Sequence, residues 1–165
     1  MGTIKKLSLF CFISLLSTFC FARQLCFQIV QHDSAAKELT EQSLTIEDEV
    51  LNSFFDYGFI VTNSNATISN SQNQDETLFE TGLKDAFNGY SDIFIQIQLF
   101  FEQNDENTTT NSELKSINFI VANASTGVKI AENKLQNIKL EHKKNDLQKI
   151  SSNLVFQINK ILKNK

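Results

Sequence analysis

The sequence has 165 residues, with 15 lysines and arginines against 19 aspartates and glutamates, and a formal net charge of −4. This length suits one globular domain together with a targeting segment. The acidic balance argues against nucleic-acid binding, because that function needs basic patches that neutralise phosphates. It also argues against binding to anionic membrane surfaces.

The first 22 residues have the pattern of a secretory signal peptide. Lys5 and Lys6 form a basic start, residues 7–21 form an apolar stretch that is short for a membrane span, and Cys20-Phe21-Ala22 resembles a small-x-small cleavage site. Cleavage leaves a single domain over 23–165, with 13 basic and 19 acidic residues and a net charge of −6. We expect an exported bacterial protein, periplasmic or extracellular, with no membrane span after cleavage. An uncleaved membrane anchor is the alternative.

Cysteine placement excludes a small scaffold stapled by disulfides. Cys11 and Cys20 leave with the signal peptide, so Cys26 stands alone in the mature chain. We expect Cys26 to be a small buried apolar residue, with an intermolecular disulfide as the alternative. Lipid attachment is disfavoured, because the bulky Phe19 and Leu25 directly precede Cys20 and Cys26.

A helix, a glycine and a short strand between residues 45 and 63 form the clearest folding signal in the chain. Thr45 has the side chain of an N-cap. The helix stripe consists of apolar residues at helical spacing, namely Ile46, Val50, Leu51, Phe54 and Phe55. Gly58 predicts the helix end, and Phe59-Ile60-Val61 predicts a short buried strand. A first strand over 25–31 precedes this segment.

A second helix follows a polar loop over 64–74. Asp75 is its predicted N-cap, and residues 76–88 carry an apolar stripe of Phe79, Leu83 and Phe87. Gly82 within this helix weakens it by about 1 kcal/mol relative to alanine. The polar stretch 62–74 is also where we expect contacts with another molecule, because the core does not need it.

Alternating apolar residues predict three consecutive strands over 92–102, 114–124 and 128–140. Gly127 in the turn at 123–127 favours a meander, since glycine tolerates positive φ. Asn145 is the predicted cap of a last helix over 146–163. Its apolar seam packs on the domain's own sheet or, alternatively, forms a coiled coil or binds a partner.

The element order is therefore β-α-β-α-β-β-β-α. It predicts an α+β domain of two or three layers, with a mixed sheet of about five strands.

Motifs for chemistry are missing from the sequence. His32 and His142 are the two histidines, and no spacing typical of a metal site accompanies them. His32-Asp33-Ser34 contains the residue types of a nucleophilic triad, but neighbours in an extended chain cannot form the relay. Glycoside hydrolysis needs a pair of carboxyl groups, and the candidates for such a pair are Glu47, Glu49, Asp56 and Glu102. We assign no catalytic, cofactor-binding or metal-binding residue and predict no cofactor.

The export signal and the element order together resemble a group of small exported envelope domains. These are the curli-secretion lipoprotein, the penicillin-binding-protein activator lipoproteins and the amino-terminal domain of the Tol translocation protein. The passage from Glu49 through Gly58 to Asn63 is also similar to a helix-to-strand segment of uncharacterised exported spirochaete proteins. The resemblance implies a binding or assembly role in the envelope and transfers no catalytic residue.

Three functional hypotheses follow. The leading one is an exported, non-enzymatic protein that binds a protein partner in the envelope or assists assembly. The alternative is a carrier of a small molecule or lipid, because the 15 phenylalanines are numerous enough to line a cavity between sheet and helices. A hydrolase comes last, because no catalytic constellation supports it.

Overall fold

Six strands and three helices make up the parts of the chain that the computed structural model describes, which are residues 23–34, 36–103, 112–140 and 145–164. In chain order they are β1 (Gln24–His32), α1 (Glu41–Asp56), β2 (Ile60–Asn63), β3 (Thr67–Ile68), α2 (Gln72–Asn88), β4 (Ile93–Gln103), β5 (Ser112–Asn123), β6 (Lys129–Leu135) and α3 (Asp146–Lys163). The predicted signal peptide lies outside the described residues. The division into a signal peptide over 1–22 and one domain over 23–165 stays a prediction.

The strands form one mixed sheet in the order β2-β1-β4-β5-β6, and β3 pairs with β1 beyond the end of β2. β1 runs parallel to β2, β3 and β4, whereas β4, β5 and β6 form an antiparallel meander. The α+β class is confirmed, and the element order agrees apart from β3. The described sheet has six strands rather than about five, because Thr67 and Ile68 add a two-residue strand within the expected loop.

One face of the sheet carries the main core and is covered by α1 and α3, which also contact each other. Ile95, Ile97 and Leu99 show the period of two along β4, and all three are fully buried. The last helix contributes Leu154, Val155, Ile158 and Leu162 to the same core. α3 therefore packs on its own domain, as the first interpretation of its apolar seam predicted.

The opposite face packs against α2 around Cys26, Ala86, Phe94 and Ala124. Cys26 is a buried free thiol, as expected. Gly82 lies so close to this face that an added Cβ would stand 2.8 Å from Phe94 Cε2 and closer still to Cζ. The glycine that weakens an isolated helix is thus the residue that lets α2 approach the sheet.

A buried row of glutamines crosses this second face beside α2. Gln96 Nε2 donates to Gln28 Oε1 over 3.3 Å, and Gln98 Nε2 donates to Gln96 Oε1 over 3.1 Å. The three side chains are at most 9% exposed. The amide groups hydrogen-bond to one another in sequence, and these bonds compensate for their burial.

The predicted start of α1 is wrong by about one turn. The N-cap is Thr40, whose Oγ1 accepts from Ser43 N–H over 3.2 Å, whereas Thr45 lies inside the helix. The reason is tertiary: the fully buried Gln31 accepts from Thr40 N–H over 2.8 Å and from Ser43 Oγ over 2.7 Å. The end of β1 therefore fixes where α1 begins.

The predicted start of α2 is also wrong. Ser71 is the N-cap and accepts from Gln74 N–H over 3.3 Å, while Asp75 falls within the first turn. Gln74 Oε1 in turn accepts from Asn70 N–H over 3.1 Å. Ser71 and Gln74 have the spacing of a capping box, which is the local signal that identifies this start.

Several other details differ from the expectations. Phe55 and Phe87 are exposed rather than part of the buried helix stripes, because each points away from the sheet near the end of its helix. β6 ends at Leu135 instead of reaching residue 140, and Asn137 follows with φ 56°. Asn145 occupies the N-cap position of α3, but its side chain makes no capping hydrogen bond.

Candidate functional site

β2 forms one edge of the sheet, and one side of its backbone has no neighbouring strand among the described residues. Ile60 N–H donates to Arg23 O over 3.1 Å, and Ser64 N–H donates to Phe27 O over 2.8 Å. Alternate residues of a strand bond to the same neighbour, so residues 60, 62 and 64 bond toward β1. Val61 and Asn63 therefore direct their N–H and C=O groups outward.

The prediction of a buried strand at this place is wrong. Ile60 is 52% exposed, and Thr62 and Asn63 are exposed as well. Only Phe59 and Val61 of this segment pack against the main core. The error arises because an apolar triplet does not reveal whether a strand lies inside a sheet or at its edge.

α1 lies beside this edge and carries only acidic charge. Its 16 residues contain Glu41, Glu47, Asp48, Glu49 and Asp56 but no lysine or arginine. Asn63 Nδ2 donates to Glu47 Oε1 over 2.7 Å and ties the strand to the helix. The β2 edge thus combines outward backbone groups with a neighbouring negative charge.

His32 lies half-buried at the end of β1 and is titratable. Its ring stacks on Phe100 with centroids 4.3 Å apart, and its Nε2 lies 3.3 Å from Asp75 Oδ1, in an orientation too poor for a hydrogen bond. Burial lowers the pKa of His32 below 6.5, and the Asp75 carboxylate opposes this by favouring the charged form. No spacing in the sequence indicates the contact with Asp75, because it depends on how α2 docks.

The four carboxylates considered for glycoside hydrolysis are not brought together in the structure. Glu47, Glu49 and Asp56 lie along α1, whereas Glu102 lies near the end of β4. Since β2 and β4 are both parallel to β1, Asp56 before β2 and Glu102 late in β4 lie at opposite ends of the sheet. A glycosidase pair needs carboxyl groups about 5–9.5 Å apart.

The phenylalanines bear on the carrier hypothesis. Phe27, Phe54, Phe94 and Phe119 are fully buried within the packed cores. A groove of about 410 Å³ lies between the segment after β6 and α3, and it is lined by lysine, amide and aliphatic side chains without phenylalanine. This groove does not match the Phe-lined cavity that the carrier hypothesis requires.

Two kinds of feature are absent from the described residues. No three His, Cys, Asp or Glu side chains within them lie close enough together to hold a metal ion. None of their helices is both long and apolar enough to cross a membrane.

Solved structures with a similar chain trace include three bacterial proteins. TolB from Acinetobacter baumannii is 12% identical, with a TM-score of 0.46, over 86% of this chain and 28% of that chain. The PelC dodecamer from Paraburkholderia phytofirmans is 11% identical, with a TM-score of 0.41, over 85% of this chain and 86% of that chain. Lipoprotein GNA1162 from Neisseria meningitidis is 10% identical, with a TM-score of 0.42, over 84% of this chain and 99% of that chain.

A Tol protein and a lipoprotein are thus among the solved structures to which this chain is similar. No curated protein matches the sequence. A family described as "Uncharacterised protein" matches residues 24–162, which include every described element except the last residue of α3. The chain belongs to this family of uncharacterised proteins.

Proposed function

We propose that this chain is an exported, non-enzymatic envelope protein whose β2 edge binds an extended segment of a partner protein. The observation that carries the proposal is the pair of outward backbone groups, at Val61 and Asn63, on an exposed edge strand. An unpaired edge is a template for a further strand, and many recognition domains bind peptides by strand addition.

A comparison of the two sheet edges supports this choice. Soluble proteins protect their edges with charged side chains, proline or bulges. β6, at the other edge, carries Lys129, Glu132 and Lys134. β2 reads Ile-Val-Thr-Asn and has no charge and no proline. The unprotected edge is the one suited to pairing with another chain.

The charge of α1 specifies the chemistry of the partner. Five acidic residues and no basic ones lie on the helix beside the β2 edge. An extended segment that carries lysine or arginine beside apolar residues complements this charge, and complementary charge favours both the encounter and the register. We therefore infer a basic partner segment.

The location and the lack of enzymatic activity belong to the same proposal. The basic start, apolar stretch and cleavage pattern of residues 1–22 support export. The separation between the carboxylates of α1 and that of Glu102 supports a binding role rather than glycoside hydrolysis.

Site-specific photo-crosslinking in the cells that make the protein tests the proposal. The full chain carries a photoreactive amino acid at Thr62 on the β2 edge or, as the control, at Ser152 of α3, which is also exposed. We expect a dominant adduct at Thr62, with mass spectrometry placing the crosslink in a basic extended segment of one envelope protein. Identical adducts at both positions, or none at Thr62, contradict the proposal.

A further inference from the structure

One end of the domain is here named the base. It consists of the start of β1, the connections α1–β2, α2–β4 and β5–β6, and the end of α3. β1, β2 and β4 are parallel, so their first residues lie at this same end. The hydrogen bonds that join the base segments include Ile60 N–H to Arg23 O (3.1 Å), Asp92 N–H to Gln24 O (2.8 Å), Ala124 N–H to Asp92 O (3.0 Å) and Arg23 Nη1 to Leu162 O (3.1 Å). The base is therefore a continuous part of the fold.

The base holds most of the exposed apolar side chains of the described residues. Of eight large exposed hydrophobic side chains, six lie there: Phe55 (71% exposed), Tyr57 (44%), Ile60 (52%), Phe87 (57%), Tyr90 (88%) and Val128 (63%). The other two, Leu44 and Phe156, lie on α1 and α3 away from this end. Single exposed apolar residues are normal on a protein surface, but a concentration at one end marks an interaction surface.

Tyr90 shows that this exposure is not a by-product of packing. It is 88% exposed and adopts a positive φ of 59° in the turn between α2 and β4. Glycine and asparagine favour that conformation, and a bulky aromatic residue rarely occupies it. No contact of the core accounts for an aromatic side chain at this position.

The charge at the base differs from that of the whole chain. Exposed basic residues there are Arg23, Lys129, Lys160 and Lys163, against the carboxylates of Asp56, Asp85 and Asp92. Lys163 Nζ also lies 6.0 Å from the centre of the Tyr57 ring. The net negative charge of the chain therefore does not describe this end. Tyrosine and lysine beside phenylalanine are typical of surfaces at the boundary between membrane and water.

The segment that precedes the described residues also indicates that the base faces a membrane. The apolar stretch over 7–21 joins the domain at Arg23, which lies in the base. Where this stretch is retained as an anchor, the base is the end of the domain that is tethered next to the membrane. We propose that the base is a membrane-facing surface, held on lipid headgroups by its aromatic side chains, with the β2 edge free at its side.

Intrinsic fluorescence tests this proposal without a label, because the chain has two tyrosines, both in the base, and no tryptophan. The full chain is isolated from cells, and mass spectrometry shows which N-terminus it has. Vesicles of phosphatidylcholine and phosphatidylglycerol are prepared with and without brominated acyl chains. We expect brominated vesicles to quench the tyrosine fluorescence, whereas the unbrominated vesicles leave it unquenched.

Matched variants show which side chains bind. Phe87→Ser removes a base residue, and Phe156→Ser removes a similarly exposed phenylalanine outside the base. We expect Phe87→Ser to weaken vesicle binding by about tenfold, as for the loss of one inserted aromatic side chain, and Phe156→Ser to leave it unchanged.

Three results overturn the proposal: no binding to either vesicle, binding without quenching by brominated lipid, or equal losses in the two variants. Vesicle binding through a retained N-terminal segment alone gives the second result. Self-association that covers the base also leaves the tyrosines unquenched. The partner binding proposed for the β2 edge is tested separately, by Asn63→Pro, which changes the far end of β2 and not the base. Loss of vesicle binding and loss of partner binding are therefore distinguishable.

Discussion

Gly82 sets the distance between α2 and the sheet. A Cβ at this position overlaps the ring of Phe94, which is fully buried and lies 5.5 Å from the Phe79 ring, centroid to centroid. Alanine raises helix propensity by about 1 kcal/mol, but crowding in a packed core costs about 1–3 kcal/mol. We therefore expect Gly82→Ala to lower the free energy of unfolding in urea titrations.

Two controls accompany this variant. Lys84→Ala changes an exposed residue two positions away, and it is expected to alter stability by less than about 0.5 kcal/mol. Gly82→Ala combined with Phe94→Leu relieves the overlap and is expected to cost less than the two single changes together. A stabilised Gly82→Ala protein would show that helix propensity outweighs packing here.

His32 gives the stability a dependence on pH. Its pKa in the folded state is lowered below 6.5, mainly by burial, so the unfolded state binds a proton first as the pH falls. Stability is therefore expected to decrease from about pH 7 downward, until the folded state also takes up the proton. In His32→Gln, urea titrations between pH 7.5 and 5.5 should show a smaller decrease than in the unchanged chain. An identical decrease in the two proteins contradicts this assignment.

At the scale of elements, the start of α1 is decided by its contact with the end of β1. Gln31 donates to Glu38 O over 3.2 Å and accepts from Thr40 and Ser43, so it fixes the entire turn that leads into α1. The periodicity of the helices and of β4 was predictable, because burial of one face imposes it. The cap of α1 and the pairing of β3 were not, because they depend on which residues of β1 lie beside them.

The two threonines near the start of α1 form a matched pair. Thr40→Ala removes the side chain that caps the helix, and we expect a loss of about 1 kcal/mol. Thr45 Oγ1 donates to Glu41 O within the helix, and alanine is a better helix former, so Thr45→Ala is expected to be neutral or slightly stabilising. Thermal unfolding of both variants decides between the two caps, and a larger loss for Thr45→Ala places the cap at Thr45.

At the scale of the whole molecule, the two sheet edges and the base divide the surface into parts with different properties. The β6 edge is charged, the β2 edge is unprotected, and the base is apolar and aromatic. The sequence contains the residues of each part, such as Ile60 and Tyr90, but not their grouping. That grouping follows from the strand order, which short apolar runs do not specify. The polar stretch over 62–74, for which the sequence predicts contacts with another molecule, includes the last two residues of β2.

The central claim is that the outward backbone of β2 binds the partner, and substitutions at Asn63 test it most directly. Asn63→Ala and Asn63→Pro both lose the contact with Glu47, but only proline also removes the outward N–H. Proline is compatible with an edge strand, and the extended backbone of Thr62 suits the position before it.

The measurement is the Kd of each purified full chain for the partner identified by crosslinking. We expect proline to raise the Kd by about tenfold relative to alanine, because a partner carbonyl loses its donor. Equal affinities of Asn63→Ala and Asn63→Pro for the partner would contradict binding by strand addition at β2.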